Sequence, residues 1–212
     1  MPRSAYPTAS DVITGLQAAG ILTTDFPYLS SLAAGAAEAG KDLIERTCNR
    51  RFLAGSSEAR YFDPPDNGRT LFLDFEATTV TSVTLGGSTL TLNTNYWLLP
   101  YNYSAQGVPI NRIDFATIFV APLLAGNRRS IVVTGTWGYG ATIPETVWQA
   151  MIYQAQLQLL PAIREIQNTG AEDWREADVA EKFGTQSSSA FLNRIAEQSM
   201  NNIKGWRRPI VV

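Results

Sequence analysis

Apolar side chains recur every three to four positions at both ends of this chain and every second position in its middle. That change of period predicts helices, then strands, then helices. TASDVITGLQAAG (residues 8–20) reads as a short helix capped by Thr8 or Ser10, with Val12, Ile13 and Leu16 turned inward and Gly20 ending it. A longer helix is expected from near Pro27 to about Arg50. Its stripe is Leu29, Leu32, Ala33, Ala36, Gly40, Leu43, Ile44 and Thr47, and the small residues of its first half admit close approach by another helix. Arg50 and Arg51 are expected to complement the dipole at its end.

From Glu58 to Trp137 the period is two. ARYF, PPDNG and TLFLDF read as one hairpin, and VTSVTL, GG and STLTL as a second. NYWLLP, NRIDFATIFVAP and RSIVVTGTW supply further strands, together an antiparallel module, rolled or sandwiched. The loop between them carries Tyr101 and Tyr103, read either as a contact surface or as rings folded back on the sheet edge.

The organising stretch is Ser130 to Gln167. A β-branched strand, Ile131–Thr136, leads through Gly135, Gly138 and Gly140 into the strongest helix of the chain. Thr142 and Glu145 have capping-box spacing, and Pro144 suits a first turn. Trp148, Met151, Ile152, Ala155, Leu159, Ile163 and Ile166 share one face, and Pro161 predicts a kink. A second apolar patch, Tyr153, Leu157 and Leu160, means either contact with another subunit or a helix buried between two layers of its own chain. A polar stretch follows, with a helical turn expected around Trp174–Phe183. The last helix runs from Ser187–Ser189 to about Asn202 with Phe191, Leu192, Ile195, Ala196, Ser199 and Ile203 on its face. The tail breaks at Gly205. Trp206, Arg207, Arg208, Ile210, Val211 and Val212 read as an extended arm that docks on a partner, or as a frayed terminus. The fold expected is therefore α+β: a frame of four main helices (residues 1–57 and 138–204, packing as one helical domain), an inserted antiparallel β module (58–137) and a C-terminal arm (205–212).

Composition narrows the chemistry. The chain has 212 residues, a formal net charge of −2 and no histidine. The commonest general base and metal ligand is missing, and Ser–His and Cys–His catalysis are excluded. Cys48, the one cysteine, cannot form an internal disulfide and is read as a packed thiol. No run of about 18 apolar residues predicts a membrane span, and MPRSAYPTAS lacks the apolar core of a secretory signal. TGTWGYG fits neither phosphate-binding glycine fingerprint and is read as a turn. Asp63, Asp66, Asp74 and Glu76 lie near a hairpin without calcium-loop spacing, and no carboxylate pair stands out for glycoside hydrolysis. No catalytic, metal or cofactor residue is assigned.

Four stretches in succession carry a resemblance: IERTCNRRF (44–52), RYFDPPDNGRTLFLDF (60–75), VTSVTLGGSTLTLNTNYWLLP (80–100) and IVVTGTWGYGATIPETVWQAMIYQA (131–155). Over roughly residues 8 to 167 the chain resembles the head–tail connector (adaptor) proteins of long-tailed bacteriophages. In that family helices flank an inserted β module, and a glycine turn leads into Ile-Pro and an amphipathic helix. The usual Thr-Gly-Arg at the second helix end is here Thr47-Cys48-Asn49-Arg50, and the β insertion is larger than in the smallest members. The resemblance implies a structural virion protein of the neck, assembled in the host cytoplasm. It implies a ring of about twelve copies that docks below the portal protein and joins a stopper or tail-completion protein, with DNA passing through the lumen without sequence-specific binding. Subunit or portal contacts would fall on the C-terminal arm, on Tyr153, Leu157 and Leu160, and on Tyr101 and Tyr103. Two other readings remain beside it. One is a carbohydrate- or protein-binding β module that stacks ligands on Tyr101, Tyr103 and Trp97. The other is an enzyme working with carboxylates alone.

Overall fold

The computed structural model describes residues 2–22, 28–116, 128–169 and 185–208. The fold is α+β and divides into two compact units: residues 1–49 with 143–208, and residues 50–142. The turn expected at Trp174–Phe183 and the tail residues Ile210, Val211 and Val212 lie outside the described residues.

In the helical unit, α1 spans Ala9–Ala18. Thr8 caps it in a full capping box, because Asp11 N–H reaches the Thr8 hydroxyl and Thr8 N–H donates to the Asp11 carboxylate at 2.8 Å. Gly20 takes the left-handed conformation (φ +68°) just past its end. Ile21 N–H then reaches Leu16 O at 3.0 Å and Gly20 N–H reaches Gln17 O at 2.9 Å, the Schellman arrangement.

The second helix, α2, spans Leu29–Cys48 and buries Leu29, Ala33, Ala36, Ala37, Gly40, Ile44 and Cys48. Leu32 departs from the expected stripe and is 39% exposed. The small-residue face is filled from within the chain. A Cβ built on Gly40 would sit 2.6 Å from Met151 O, so the backbones of α2 and α4 (Glu145–Thr169) nearly touch there. That is the close approach by another helix that the small residues predict, made by Ala33, Ala36, Ala37 and Gly40, while Ala34 and Gly35 stay exposed. Asn49 closes α2 in the left-handed conformation (φ +49°), which asparagine tolerates better than most residues.

On α4 the predicted stripe is inside as far as it is described: Trp148, Met151, Ile152, Ala155, Leu159 and Ile163 are all buried, and the side chain of Ile166 lies outside the described residues. Pro161 lies within the helix. The helix opens at Glu145 rather than at Thr142, and Pro144 sits at its cap, its carbonyl accepting from Trp148 N–H at 3.0 Å. α5 (Thr185–Asn202) packs against α4 and buries Leu192, Ala196 and Ser199, as its pattern predicts. Cys48 is buried, its Sγ 4.0 Å from Ile203 O.

The β unit holds a six-stranded sheet in the order β1-β6-β2-β5-β4, with the short β3 paired to β2. The strands are β1 Ser57–Phe62, β2 Thr70–Leu85, β3 Ser88–Thr89, β4 Tyr96–Leu99, β5 Ile110–Phe115 and β6 Ile131–Trp137, with one helical turn, α3 (Tyr103–Gln106), before β5. All ladders are antiparallel. The Gly86-Gly87 hairpin is present, both glycines having positive φ, although its second strand is only two residues long. The first expected hairpin is not. β1 pairs with β6, Phe62 opposite Ile131, instead of with β2. TLFLDF and VTSVTL are one continuous strand, bulged near Ala77 and between Val80 and Ser82, which pairs with β5 along its first half and β6 along its second. The sheet thereby curls around a core that includes Phe62, Leu71, Leu73, Val83, Ile113, Phe115, Val133 and Trp137.

Of the three glycines after Val133, only Gly138 needs its freedom of φ (+142°). Gly135 is instead a close-approach position, where a Cβ would collide with Thr79 O.

Candidate interaction surfaces

Arg50 was expected at a helix end, but its guanidinium lies in the β unit against Glu76. Arg50 Nε is 2.9 Å from Glu76 Oε2, and Nη2 donates to Oε1 at 3.0 Å. Glu76 is 6% exposed, and Arg50 also lies over the Tyr139 ring at 4.8 Å. Glu76, which the sequence places with Asp63, Asp66 and Asp74 near a hairpin, is thus half of a buried ion pair carrying one charge-assisted hydrogen bond. The α2 carbonyls are met from the other end of the chain. Arg207 Nε donates to Thr47 O at 3.0 Å and Arg208 N–H to Cys48 O at 2.9 Å, after a single 3-10 turn at Lys204–Trp206. The described part of the C-terminal arm is therefore folded onto its own helical unit, with Trp206 half-buried.

The second apolar patch on α4 faces α5. Leu160 is buried, while Tyr153 and Leu157 are half-buried and line two grooves along the α4–α5 seam. One, of about 370 Å³, has Tyr153 and Ile195 beside Gln149, Gln198, Ser199 and Asn202. The other, of about 460 Å³, has Leu157 and Met200 among Gln154, Asn193, Glu197 and Asn201. In the β unit Tyr101 is 67% exposed. Tyr103 is not: it packs partly buried against the sheet core, and Trp97 is half-buried, so the three rings do not share the same openness.

Large apolar side chains that sequence periodicity did not single out are also exposed, namely Tyr28, Tyr61, Phe72 and Phe75. Phe75 is bound from one side, since Arg60 stacks over it at 4.9 Å and over Trp137 at 4.4 Å. Trp137 Nε1 donates to Glu58 O at 3.0 Å, and Glu58 pairs with Arg60 at 2.6 Å. Charge and a capped carbonyl thus guard the edge strand β1 against pairing with another chain.

Lys41, Tyr96 and Glu145 have displaced pKa values, and each moves away from neutrality. Lys41 is raised by its hydrogen bond to Glu38, against the opposing effect of burial. The Tyr96 phenol is raised by burial and by Tyr103. Glu145 is lowered to about 2, first by the hydrogen bond from Gln149 (3.0 Å) and then by that from Arg3 (3.3 Å). None is tuned for proton transfer near pH 7. Among the described residues no group of three or more Cys, Asp or Glu side chains converges on a metal position. No helix there is long and apolar enough to cross a membrane.

Glu145 yields a test of the α4 entry. A carboxyl whose folded pKa lies below its unfolded value of about 4.5 contributes stability above that value and loses it as pH falls toward about 2. Side-chain NMR titration should place Glu145 near 2 and return it toward 4.5 in Arg3→Ala/Gln149→Ala. A wild-type value near 4.5 would show that the two hydrogen bonds do not hold in solution.

What the described residues define is an α+β scaffold. No protein-family model matches the chain, and no curated protein matches it either. Among solved structures it matches, at 15% identity and a TM-score of 0.54, a chain from the neck of an empty gene transfer agent (GTA) particle computed with C6 symmetry, over 99% of this chain and 93% of that one. A chain from the neck of the native GTA particle, computed with C12 symmetry, matches at 14% identity and a TM-score of 0.46, over 100% and 97%. The first match shows a shared fold over nearly the whole length of both chains.

Proposed function

We propose that this protein is a head–tail connector subunit. Copies form an adaptor ring in the neck of a phage-like virion, which docks below the portal and joins the DNA-filled head to the tail. The observation that carries the proposal is the full-length fold likeness to a chain of a GTA particle neck. It is joined by the order of motifs along residues 8 to 167 and by surfaces where an enzyme would need a constellation of reactive groups. The C6 symmetry of that neck supports a ring, and twelve copies is a multiple compatible with it.

In such a ring the lumen passes DNA without reading its sequence. A net charge of −2 suits sliding, since a strongly basic lining would bind phosphates and resist passage. The portal and a stopper or tail-completion protein are the partners on the two sides. The contact at the C-terminal end falls on residues 209–212, because Arg207 and Arg208 are already engaged by α2 of their own chain. Co-sedimentation with purified portal tests this. The full chain should travel with the portal, and a chain ending at Arg208 should fold normally but stay behind. Equal recovery of both would remove the arm from the interface, and no co-sedimentation of either would count against portal docking.

A further inference from the structure

We propose that the N-terminal strap, residues 2–7, exchanges between copies of this chain, so that in the ring each strap sits in the seat of the next subunit. The proposal rests on the ring reading above and supplies the link between subunits. Seat and occupant are both seen in the helical unit. Arg3 N–H donates to Ile143 O at 3.0 Å and Ile143 N–H donates to Arg3 O at 2.7 Å, an antiparallel bridge onto the stretch that leads into α4. The Arg3 guanidinium lies over the Trp148 ring at 4.2 Å, and its Nε is 3.3 Å from Glu145 Oε2. Three residues on, the Tyr6 hydroxyl donates to Glu45 of α2, and Lys41 lies over the Tyr6 ring at 5.2 Å. The seat therefore selects a short segment that offers a backbone pair, a guanidinium and, three residues later, a phenol.

What holds the strap is easily undone. Pro2, Arg3, Ser4 and Ala5 are exposed. The Arg3–Glu145 pair is 46% and 35% exposed, so water and salt weaken it. The hinge is Pro7. It has no N–H to lose when the chain redirects there, and Thr8 beyond it stays fixed as the cap of α1. A strap held in this way opens without unfolding the helices beneath it. Opening uncovers Trp148, now 7% exposed, and takes the backbone partners from Ile143, whose side chain is fully buried. A second copy is the occupant because its strap is the segment that the seat already holds. It restores every one of these contacts, which makes exchange a low-cost route to assembly. Each copy then gives its strap to one neighbour and receives one from the other, and the series closes as a ring when the rotation allows.

Cysteines across the bridge test the exchange. Residues paired in this way have Cα atoms about 5.5 Å apart, within disulfide range. Native Cys48 is buried and gives little background. Free subunits of Arg3→Cys/Ile143→Cys should close a disulfide within one chain. Assembled rings of the same variant should give a ladder of covalent oligomers on mild oxidation, and rings made from the two single variants mixed should give covalent dimers. A second readout leaves the buried Ile143 untouched. Arg3→Ala should raise the concentration at which rings form at least tenfold without changing the circular dichroism of the subunit, and Arg3→Lys should fall between. Disulfides confined to single chains in assembled rings, or rings that form from Arg3→Ala at the wild-type concentration, overturn the exchange and leave the ring standing. A wild-type chain that never assembles, with or without portal, overturns both.

Discussion

Gly40→Ala should destabilise the protein, whereas Gly35→Ala, five residues earlier on the same helix, should stabilise it. Alanine favours a helix interior over glycine by roughly 0.5–1 kcal/mol, so the backbone term has the same sign at both sites. The surroundings differ. A Cβ at Gly35 meets nothing within 4 Å. A Cβ at Gly40 lies 2.6 Å from Met151 O and 2.9 Å from Ala155 N, backbone atoms of α4 that no rotamer change can move. The two helices would have to separate, and overpacking of that kind costs about 1–3 kcal/mol, more than propensity returns. Gly40→Leu should exceed about 4 kcal/mol, among the largest single-residue losses. Urea titrations followed by circular dichroism read both. A Gly40→Ala midpoint equal to or above that of Gly35→Ala would mean that α2 and α4 are not in backbone contact.

Arg50→Ala should cost about 3–5 kcal/mol, because it removes the ion-pair partner of a buried carboxylate. Glu76 is 6% exposed and cannot recover its hydration in place. Arg50→Lys is not a conservative change here, since an ammonium reproduces neither the guanidinium's reach to both carboxylate oxygens nor its stack on Tyr139. The double change Arg50→Met/Glu76→Leu removes both charges and should return stability to near the wild-type value or above it. Such recovery would show that the single-variant loss reflects a stranded charge and not the net worth of the pair. An Arg50→Ala variant within about 0.5 kcal/mol of wild type, the range of ordinary surface changes, would contradict the buried pair.

The helical unit was largely legible because its signals are local. Thr8 as cap, Gly20 as terminator and the stripe on α4 each depend on residues within a few turns, and all are found. The β unit was legible in its strands but not in their pairing. Asp63-Pro64-Pro65-Asp66-Asn67-Gly68 makes a turn, with Asn67 Oδ1 accepting from Arg69 and Thr70 N–H at 2.9 and 2.8 Å. Local turn chemistry brings the chain around without choosing a partner. β1 instead pairs with β6, whose sequence begins nearly seventy residues later. Likewise no breaker separates TLFLDF from VTSVTL, so one strand bends where two were expected.

The candidate surfaces were legible only in part. Exposure of Tyr101 follows from a polar loop, but Tyr103 lies two residues on and turns to the sheet core, which sequence spacing does not reveal. Arg50 looked like a cap because arginines favour helix ends. Its true partner, Glu76, lies on a strand 26 residues away. The cap itself came from Arg207 and Arg208, about 160 residues from the carbonyls they meet. Tyr28 carried no periodic signal at all, and its left-handed backbone is visible only in three dimensions.

Electron microscopy of this protein mixed with purified portal from the same particle tests the central claim most directly. The account predicts a ring of this chain, about twelve copies, stacked on the tail-facing side of the portal and coaxial with its channel. A protein that stays monomeric beside well-formed portals, or that binds elsewhere on the particle, would contradict it.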